Sequence, residues 1–344
     1  MNTFGRNFRV TVFGESHGEE IGVVLDGVPA GLPLCPGDFT EDLNRRRSGA
    51  RGTTPRREAD TPRIVSGLYE GHATGAPLTI VFANGDTRSS DYSLFRDMPR
   101  PGHADYTAAI KWDGFNDPRG GGHFSARLTL PVTAAGVVAK KIVATAIEKE
   151  EAGVRAGLVE MGGQALPEGC APVAGPEDEL PEPWKSALES AMKDGDSIGG
   201  VVECRVGSPL IGLGEPFWDS TESLLSHAMF AIPGVRGVEF GDGFRAAAMR
   251  GSEHNDPIIN ADGDTSSNGA GGINGGITNG NPVVFRVAFK PTATIHKAQQ
   301  TWNFAKEAVD TLSAPGRHDS CIALRAPVIV EAMAAIVLAD LILV

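Results

Sequence analysis

The first thirty residues hold two short runs with the hydrophobic pattern of strands. Phe8–Phe13 reads Phe-Arg-Val-Thr-Val-Phe, and the apolar pattern resumes over Ile21–Leu25. Alternation with a period of two is typical of a β-strand that buries one face. The glycine-flanked segment Gly14–Gly18 separates the two runs. The pattern therefore predicts a β-hairpin with polar side chains at its turn.

Further along the chain, the hydrophobic pattern predicts both helices and strands. Ser125–Lys149 has a long helical periodicity with a small-residue face, interrupted near Pro131, and Ala326–Leu343 is nearly all apolar, which predicts a buried helix. Shorter helices are predicted over Thr40–Arg47 and Trp184–Lys193, and strands over Arg63–Tyr69, Leu78–Ala83, Val201–Val206 and Asn281–Lys290. We expect Leu166–Pro183 to be an exposed loop and Gly251–Gly280 to be a long polar loop.

The order of these elements favours one fold class over another. Strands and helices do not alternate as in a doubly wound parallel fold, no Walker A motif occurs, and Asn274 stands where the last glycine of a nucleotide fingerprint would be. The sequence therefore predicts an α+β fold with antiparallel sheets.

Charge and composition exclude several classes of protein. The 344 residues carry a net charge of −12, which argues against a protein that coats nucleic acid or anionic lipid. No apolar stretch approaches the roughly 18 residues of a membrane span, and the N-terminus has no hydrophobic signal core, so we expect a cytoplasmic protein. The four cysteines lie far apart with no metal-ligand spacing, and no metal site is predicted. The 44 glycines, nearly twice the usual share of about 7%, predict many sharp turns.

Two groups of polar residues could carry chemistry near the N-terminus. His17 lies in the glycine-flanked turn, where an imidazole can exchange protons near neutral pH, although a merely exposed turn histidine fits the same pattern. Ser16 is poorly placed to form a dyad with His17, because neighbouring side chains on a strand point apart. Six arginines between residues 45 and 57 suggest a grip on a phosphate or carboxylate, with a solvated basic loop as the alternative.

Three later segments add histidines and glycines. His103 follows Arg100-Pro-Gly, and the triple glycine Gly120–Gly122 leads into the predicted helix at 125, where free N–H groups could seat an anion. The glycine-rich loop at 266–280 could lie against a flat ring, and Gly316–Asp319 precedes the last helix. Each segment also has a plain structural explanation. Together they point to an enzyme that handles a small polyanionic ligand.

These motifs resemble those of the chorismate synthase family, in order and over the whole chain from Phe4. They are FRVTVFGESHG at Phe8–Gly18, the three arginines at 45–47, RPGHADYT at Arg100–Thr107, GVEFGDGF at Gly237–Phe244, KPT at Lys290–Thr292, and GRHD at Gly316–Asp319. The resemblance implies one large domain over residues 1–344, a sandwich of antiparallel sheets around helices, and a homotetramer. It also implies loss of phosphate and a C6 hydrogen from 5-enolpyruvylshikimate-3-phosphate, in a 1,4-anti elimination that yields chorismate and requires reduced FMN. NADPH is a candidate reductant, but the chain shows no separate NADPH domain, which favours an external source of reduced flavin.

The resemblance also implies roles for single residues. His17 would protonate the departing phosphate, His103 would protonate the reduced flavin near N1, and Asp319 with Ser16 would take a proton from flavin N5. Arg46 and Arg51 match positions that contact anionic substrate or NADPH. The flavin-contacting positions correspond to His123, Phe124, Ser125, Pro233, Gly234, Gly275, Lys290, Pro291, Thr292, Ala293, Thr294 and Arg317.

The chain departs from the family pattern at several of these positions. His123 and Phe124 replace an arginine and a serine, and Leu128 replaces a glutamate. A flavin-binding relative without elimination activity is therefore one alternative to the enzyme. A non-catalytic RNA-binding protein with Arg-Gly loops is another, which the acidic charge and the presence of His17, His103 and Asp319 disfavour.

Overall fold

The computed structural model describes residues 2–87, 89–147, 153–207, 209–316 and 318–343, with the backbone only for residues 89–91. The strands are β1 (Thr3–Phe4), β2 (Arg9–Gly14), β3 (Glu20–Asp26), β4 (Arg63–Ser66), β5 (Leu68–Tyr69), β6 (His72–Ala73), β7 (Leu78–Ala83), β8 (Val154–Met161), β9 (Gln164–Ala165), β10 (Gly200–Val206), β11 (Val235–Phe240), β12 (Ile273–Asn274), β13 (Ile277–Thr278), β14 (Val283–Phe289), β15 (Gln299–Asn303) and β16 (Ala308–Leu312). The helices are α1 (Thr40–Arg46), α2 (Asp105–Lys111), α3 (Thr129–Ala146), α4 (Glu182–Lys193), α5 (Thr221–Phe230), α6 (Gly251–His254) and α7 (Pro327–Ile342).

Two five-stranded antiparallel sheets enclose a layer of helices. The first sheet has the order β1-β2-β3-β7-β4, and the second has the order β11-β14-β10-β8-β9. Helix α3 packs on the first sheet, α7 packs on β8 and β10 of the second, and α3 and α7 pack on each other. The predicted α+β sandwich is therefore confirmed.

The alternation of side chains explains the inner faces of both sheets. In β14, Val283, Phe285, Val287 and Phe289 are buried while the residues between them are half-exposed. In β3, Ile21, Val23 and Leu25 are all fully buried. Both sets belong to one hydrophobic cluster that continues through the helices between the sheets.

Close helix packing depends on small residues. A Cβ built on Gly136 of α3 would lie 2.3 Å from the Ala332 Cβ of α7, so the two backbones approach closely. The segment Ala126–Ala146 is long and apolar enough to span a membrane, but 78% of its most apolar window is buried inside the protein, as in a core helix. The predicted small-residue face is therefore the contact between α3 and α7.

The structure corrects three predicted elements. Pro131 does not interrupt α3 but lies in its first turn, where no intrahelical N–H is lost; the predicted end at Lys149 lies outside the described residues. The predicted loop 166–183 is not wholly exposed, because Val173 is buried and pairs with Leu158 of β8. The predicted loop 251–280 contains α6 and the hairpin β12–β13.

Candidate active site

The turn between β2 and β3 places Ser16 and His17 at one end of the first sheet. Ser16 is only 1% exposed, and its N–H donates to the Gly122 carbonyl at 3.1 Å. The His17 ring stands edge-on to Tyr92, with 5.2 Å between the ring centroids. His17 is therefore a half-buried side chain held by aromatic packing, not a freely exposed turn residue.

The triple glycine forms a turn between the two candidate histidines. Gly120, Gly121 and Gly122 have φ values of 61°, 81° and 53°, a region in which side chains cost free energy. A Cβ on Gly120 would lie 2.6 Å from His17 Nε2, and one on Gly121 would lie 3.5 Å from His103 Nε2. With adjacent Cα atoms about 3.8 Å apart, the two Nε2 atoms are no more than about 13 Å apart.

The glycine turn does not lead directly into the long helix, as the sequence suggested. Helix α3 begins only at Thr129, and a second short helical turn over Ala126–Leu128 lies between the glycines and the helix. Ser125 caps that turn, where its hydroxyl accepts from the Arg127 N–H. The expected position of the glycines at the N-terminus of the helix is therefore wrong, and the glycines instead allow the backbone to approach His17.

His103 belongs to a tightly paired group with Arg100 and Asp105. His103 Nδ1 lies 2.7 Å from Asp105 Oδ1, and the Arg100 guanidinium donates to both Asp105 oxygens at 2.7 Å. Arg100 Nη2 also lies 3.0 Å from His103 Nδ1, so Nδ1 donates to Asp105 in one tautomer and accepts from Arg100 in the other. The other ring nitrogen, Nε2, faces the glycine turn, and it is the unprotonated nitrogen in the neutral tautomer that donates to Asp105.

The surroundings set the protonation of this group. Burial lowers the pKa of His103, and the Asp105 hydrogen bond only partly opposes that effect. Burial alone would raise the pKa of Asp105, but hydrogen bonds from Arg100 and His103 outweigh it and hold the pKa well below its usual value. Near neutral pH the pair is therefore a neutral imidazole beside a carboxylate.

A single loop connects Ser16 with Asp319. The Thr54 N–H donates to Asp319 Oδ1 at 3.0 Å, and Arg56 Nη1 donates to Ser16 Oγ at 3.1 Å. Glu58 holds the Arg56 guanidinium in place through hydrogen bonds of 2.7 and 3.0 Å. Since arginine has no acceptor, the Ser16 hydroxyl accepts from Arg56 and keeps its own proton for another partner.

The clustered arginines do not form one anion-binding patch. Successive residues on a helix point about 100° apart, so Arg45 turns to Glu331, Arg46 turns into the core, and Arg47 is exposed. Arg46 is 2% exposed and donates to Thr129 Oγ1 and the Ala126 carbonyl, so it has no direct access to an anion here. Arg51 is exposed and pairs with Glu189 of α4 at 2.9 Å.

Most of the predicted flavin-contacting residues after β14 lie beside the His103 loop. Arg100 donates to Thr294 Oγ1 at 3.0 Å, and Lys290 Nζ donates to the Gly102 carbonyl. The Lys290 N–H donates to the Gly234 carbonyl at 2.9 Å, which brings in Pro233 and Gly234. Between them, Pro291 is exposed, Ala293 lies near Gly102, and the Thr292 carbonyl accepts from Ser197.

Three other predicted contacts differ in position from this group beside the His103 loop. His123 Nδ1 donates to the Gly14 carbonyl at 2.8 Å, and the Phe124 ring packs against Trp112, so both lie next to the His17 turn. Gly275 is not near this cluster, because its hairpin is bonded to Leu213 and Thr221, before β14 begins and about 20 Å of strand away from Lys290. Arg317 lies outside the described residues.

Buried polar atoms allow a test of whether a flavin fits here. Thr292 Oγ1 and His318 Nε2 are buried and have no hydrogen-bond partner among the described residues. Flavin rings carry both donors and acceptors, and buried polar groups in proteins are normally satisfied. The two unpartnered groups therefore fit a polar cofactor such as a flavin.

His318 makes the stability of the fold sensitive to acid. Burial, and then the charge of neighbouring His296, lower the pKa of His318 to about 4. Between pH 6.5 and 4 the unfolded chain binds this proton and the folded chain does not. We therefore expect His318 to cost up to about 3 kcal/mol of unfolding free energy as the pH falls through this interval.

Urea unfolding of the wild type and of His318→Gln at pH 7, 5.5 and 4 measures this cost. The variant should lose less stability on acidification than the wild type. His296→Gln should show a smaller effect in the same direction, because it removes the neighbouring charge that helps to lower the pKa of His318. The control is His72→Gln, at an exposed histidine in β6, which should follow the wild type closely. Equal acid sensitivity of the His318→Gln variant and the wild type would contradict the assignment.

A large cavity lies elsewhere in the protein. It has a volume of about 1260 Å³ and is bordered by α1, α3, α7, β8 and β10. Three of its charged residues pair with one another, since Glu331 lies 2.8 Å from Arg45 and 2.7 Å from Lys140. Of the residues predicted for the site, Arg45 lines this cavity, and it is occupied by Glu331. We therefore place the chemistry at the histidine cluster, which comprises His17, His103, Ser16 and Asp319 with the residues that bind them.

Sequence reasoning missed several residues that support this cluster. Tyr92 packs on His17, Thr54 binds Asp319, and Arg325 donates to Asp319 at 3.1 Å. Arg325 had a visible signal, because it is a charged residue inside the apolar stretch that leads into α7. Tyr92 and Thr54 had none, since neither stands in a motif.

The fold and the cluster together define an α+β enzyme with two imidazoles at one glycine turn and a largely buried carboxylate. Comparison with known proteins agrees: a family model for chorismate synthase matches residues 8–343. A chorismate synthase of Chitinophaga pinensis is 54% identical over 343 residues, covering 100% of this chain and 97% of that protein. One of Korarchaeum cryptofilum is 45% identical over 351 residues, covering 98% and 96%.

A solved structure agrees with the fold. The crystal structure of a chorismate synthase superposes with a TM-score of 0.73 at 26% identity, covering 98% of this chain and 92% of the other. The chain belongs to the chorismate synthase family, and it is a carbon–oxygen lyase.

Proposed function

We propose that the protein converts 5-enolpyruvylshikimate-3-phosphate to chorismate with reduced FMN bound at the histidine cluster. The observation that carries this proposal is that His17 and His103 border the same glycine turn, with Ser16 and Asp319 joined by one loop. An elimination of phosphate needs a proton donor at the leaving group and a proton acceptor elsewhere, and the cluster offers both.

The residues have distinct tasks in this proposal. His17 donates a proton to the departing phosphate. His103 holds one proton at Nδ1 against Asp105 and presents Nε2 to the ligand. Burial lowers the pKa of His103, so the ring is neutral without a ligand. A bound anion beside Nε2 would raise this pKa, favour the protonated form and allow His103 to act as an acid. Asp319 accepts a proton, with the Ser16 hydroxyl as its neighbour in the reaction.

The cofactor would be held by two groups of residues. Lys290–Thr294 and Pro233–Gly234 lie beside the His103 loop, and His123–Ser125 lie beside the His17 turn. Arg317 and Gly275 are further candidates from the resemblance. When bound, reduced FMN supplies the electron density for the elimination without net oxidation. Arg46 would stabilise the site through its hydrogen bonds to Thr129 and the Ala126 carbonyl. Arg51 is a candidate for NADPH contact at the surface.

The remaining parts of the proposal concern the assembly. We propose a cytoplasmic homotetramer, one domain per chain, that receives reduced flavin from an external source. Phe217, Trp218 and Phe244 are 87%, 89% and 85% exposed, and large exposed aromatic side chains are typical of subunit interfaces.

An anaerobic assay with chemically reduced FMN tests the function. We expect phosphate and chorismate to form in equal amounts with reduced FMN. With oxidised FMN we expect no turnover, whether or not NADPH is added. Turnover with NADPH and oxidised FMN would overturn only the proposal that the flavin is reduced by an external source. FMN binding without product would favour the inactive relative, and retention of RNA at moderate salt would favour the RNA-binding alternative.

A further inference from the structure

The carboxylate of Asp319 is held by an arginine outside the predicted site. Arg325 Nη1 lies 3.1 Å from Asp319 Oδ1 and 3.5 Å from Oδ2, and the Thr54 N–H donates to Oδ1 at 3.0 Å. The Asp319 side chain is 12% exposed and that of Arg325 is 8% exposed. A carboxylate bound from two directions at low exposure has little freedom to rotate.

Arg325 is itself fixed by a second contact. It ends the short helical turn Ile322–Arg325 that precedes α7, and its Nε donates to the Arg46 carbonyl at 2.9 Å. A guanidinium can make both contacts at once because its donors lie in a rigid plane, whereas a lysine ammonium cannot reach both acceptors. The orientation of Asp319 is therefore linked to the backbone of α1.

The charged residues next to the Asp319–Arg325 contact pair with one another, which leaves Arg325 as the partner of Asp319. Asp60 lies between Arg46 and Arg127, at 3.6 Å from Arg46 Nη1 and in hydrogen-bond contact with Arg127. Burial, and then the positive charge of Arg325, lower the pKa of Arg46 well below its usual value. Asp60 is thus engaged by two arginines, and Asp319 is the carboxylate that faces Arg325.

We propose that Arg325 is a positioning residue that aims the Asp319 carboxylate at the reacting ligand and affects turnover only through Asp319. The inference rests on the proposed role of Asp319 in the reaction. A small misplacement of a reacting group can cost about 100-fold in rate. We expect Arg325→Gln to lower kcat about 10- to 100-fold, with KM and the Kd for FMN changed less than about threefold.

A double-mutant cycle with Asp319→Asn tests the proposal. In the Asp319→Asn background, the further loss from Arg325→Gln should be less than about threefold, because the group that Arg325 aims is already gone. Arg325→Lys keeps the charge and should recover part of kcat. FMN affinity from flavin fluorescence and Tm are measured on every variant. Lys140→Gln, which removes a half-buried cation bonded to Glu331 of α7, should lower Tm without lowering kcat.

The outcomes separate two failures. If Asp319→Asn keeps the wild-type kcat, the proposed role of Asp319 is wrong, and the role of Arg325 falls with it. If Asp319→Asn is impaired but the loss from Arg325→Gln adds in full, Arg325 acts independently and only this inference is overturned. If Arg325→Gln does not fold, the cycle is run with Arg325→Lys, and full additivity there would overturn the inference in the same way.

Discussion

Replacing His103 by glutamine is expected to lower kcat by about 100- to 10,000-fold, the usual contribution of a positioned proton-transfer group. Glutamine cannot take up a proton at the position of Nε2, the atom that faces the glycine turn. Anaerobic turnover with reduced FMN measures the loss. His254→Gln is the matched control, because His254 also pairs with an aspartate, Asp242, at 3.1 Å but lies outside the cluster.

A second measurement addresses the proton on His103 directly. In the free protein, NMR titration should give His103 a pKa below 6.5, because burial opposes the charged form. Addition of substrate and oxidised FMN, a mixture that is not expected to turn over, should raise the pKa, since an anion next to the ring favours imidazolium. Near-normal turnover of His103→Gln, or an unchanged pKa on ligand binding, would remove His103 from the proposed chemistry.

The elements of the layered fold were predictable from the sequence where a short stretch of the chain contains the whole hydrophobic pattern. Strand β14 buries alternate residues, β3 is a short apolar run, and α3 and α7 are long apolar runs, so period and length were sufficient to predict them. Strand β11 was not predicted because a register shift between Val235 and Gly237 breaks the alternation against β14. Its position depends on pairing with a distant strand, which no short window of sequence contains.

The long glycine-rich segment shows a similar limit. Its composition predicts a loop, yet Asp256 accepts hydrogen bonds from the Ser267 hydroxyl and the N–H groups of Gly269 and Ala270, which gives the segment a fixed shape. These partners are at least eleven residues apart along the chain. Local propensity describes the available turns but does not say which polar side chain will organise them.

The candidate site was predictable as a set of residues but not as an arrangement. The motifs contain His17, His103 and Asp319, but the separation of three adjacent arginines into a core contact, an ion pair and an exposed side chain depends on how α1 packs. The role of Arg325 is likewise invisible without its contact to Asp319. Motifs identify which chemistry is present, and packing decides which groups can use it.

Replacing Gly120 by alanine is expected to abolish most turnover and to lower the free energy of unfolding by about 1–3 kcal/mol. The added Cβ would lie 2.4 Å from His17 Cδ2 and 2.7 Å from Ser16 Oγ, so the imidazole and the hydroxyl must both move. The φ of 61° adds a backbone cost that any non-glycine residue would carry.

The control isolates the steric effect from the backbone effect. Gly163, in the turn between β8 and β9, has a φ of 79° and no heavy atom within 4 Å of a built Cβ. Gly163→Ala should therefore show only the backbone part of the stability loss and a normal kcat, whereas Gly120→Ala should lose more stability and at least about 100-fold in kcat, since both His17 and Ser16 are displaced. Chemical unfolding and anaerobic turnover measure the two quantities. A Gly120→Ala variant with normal kcat would show that the position of His17 does not limit the reaction.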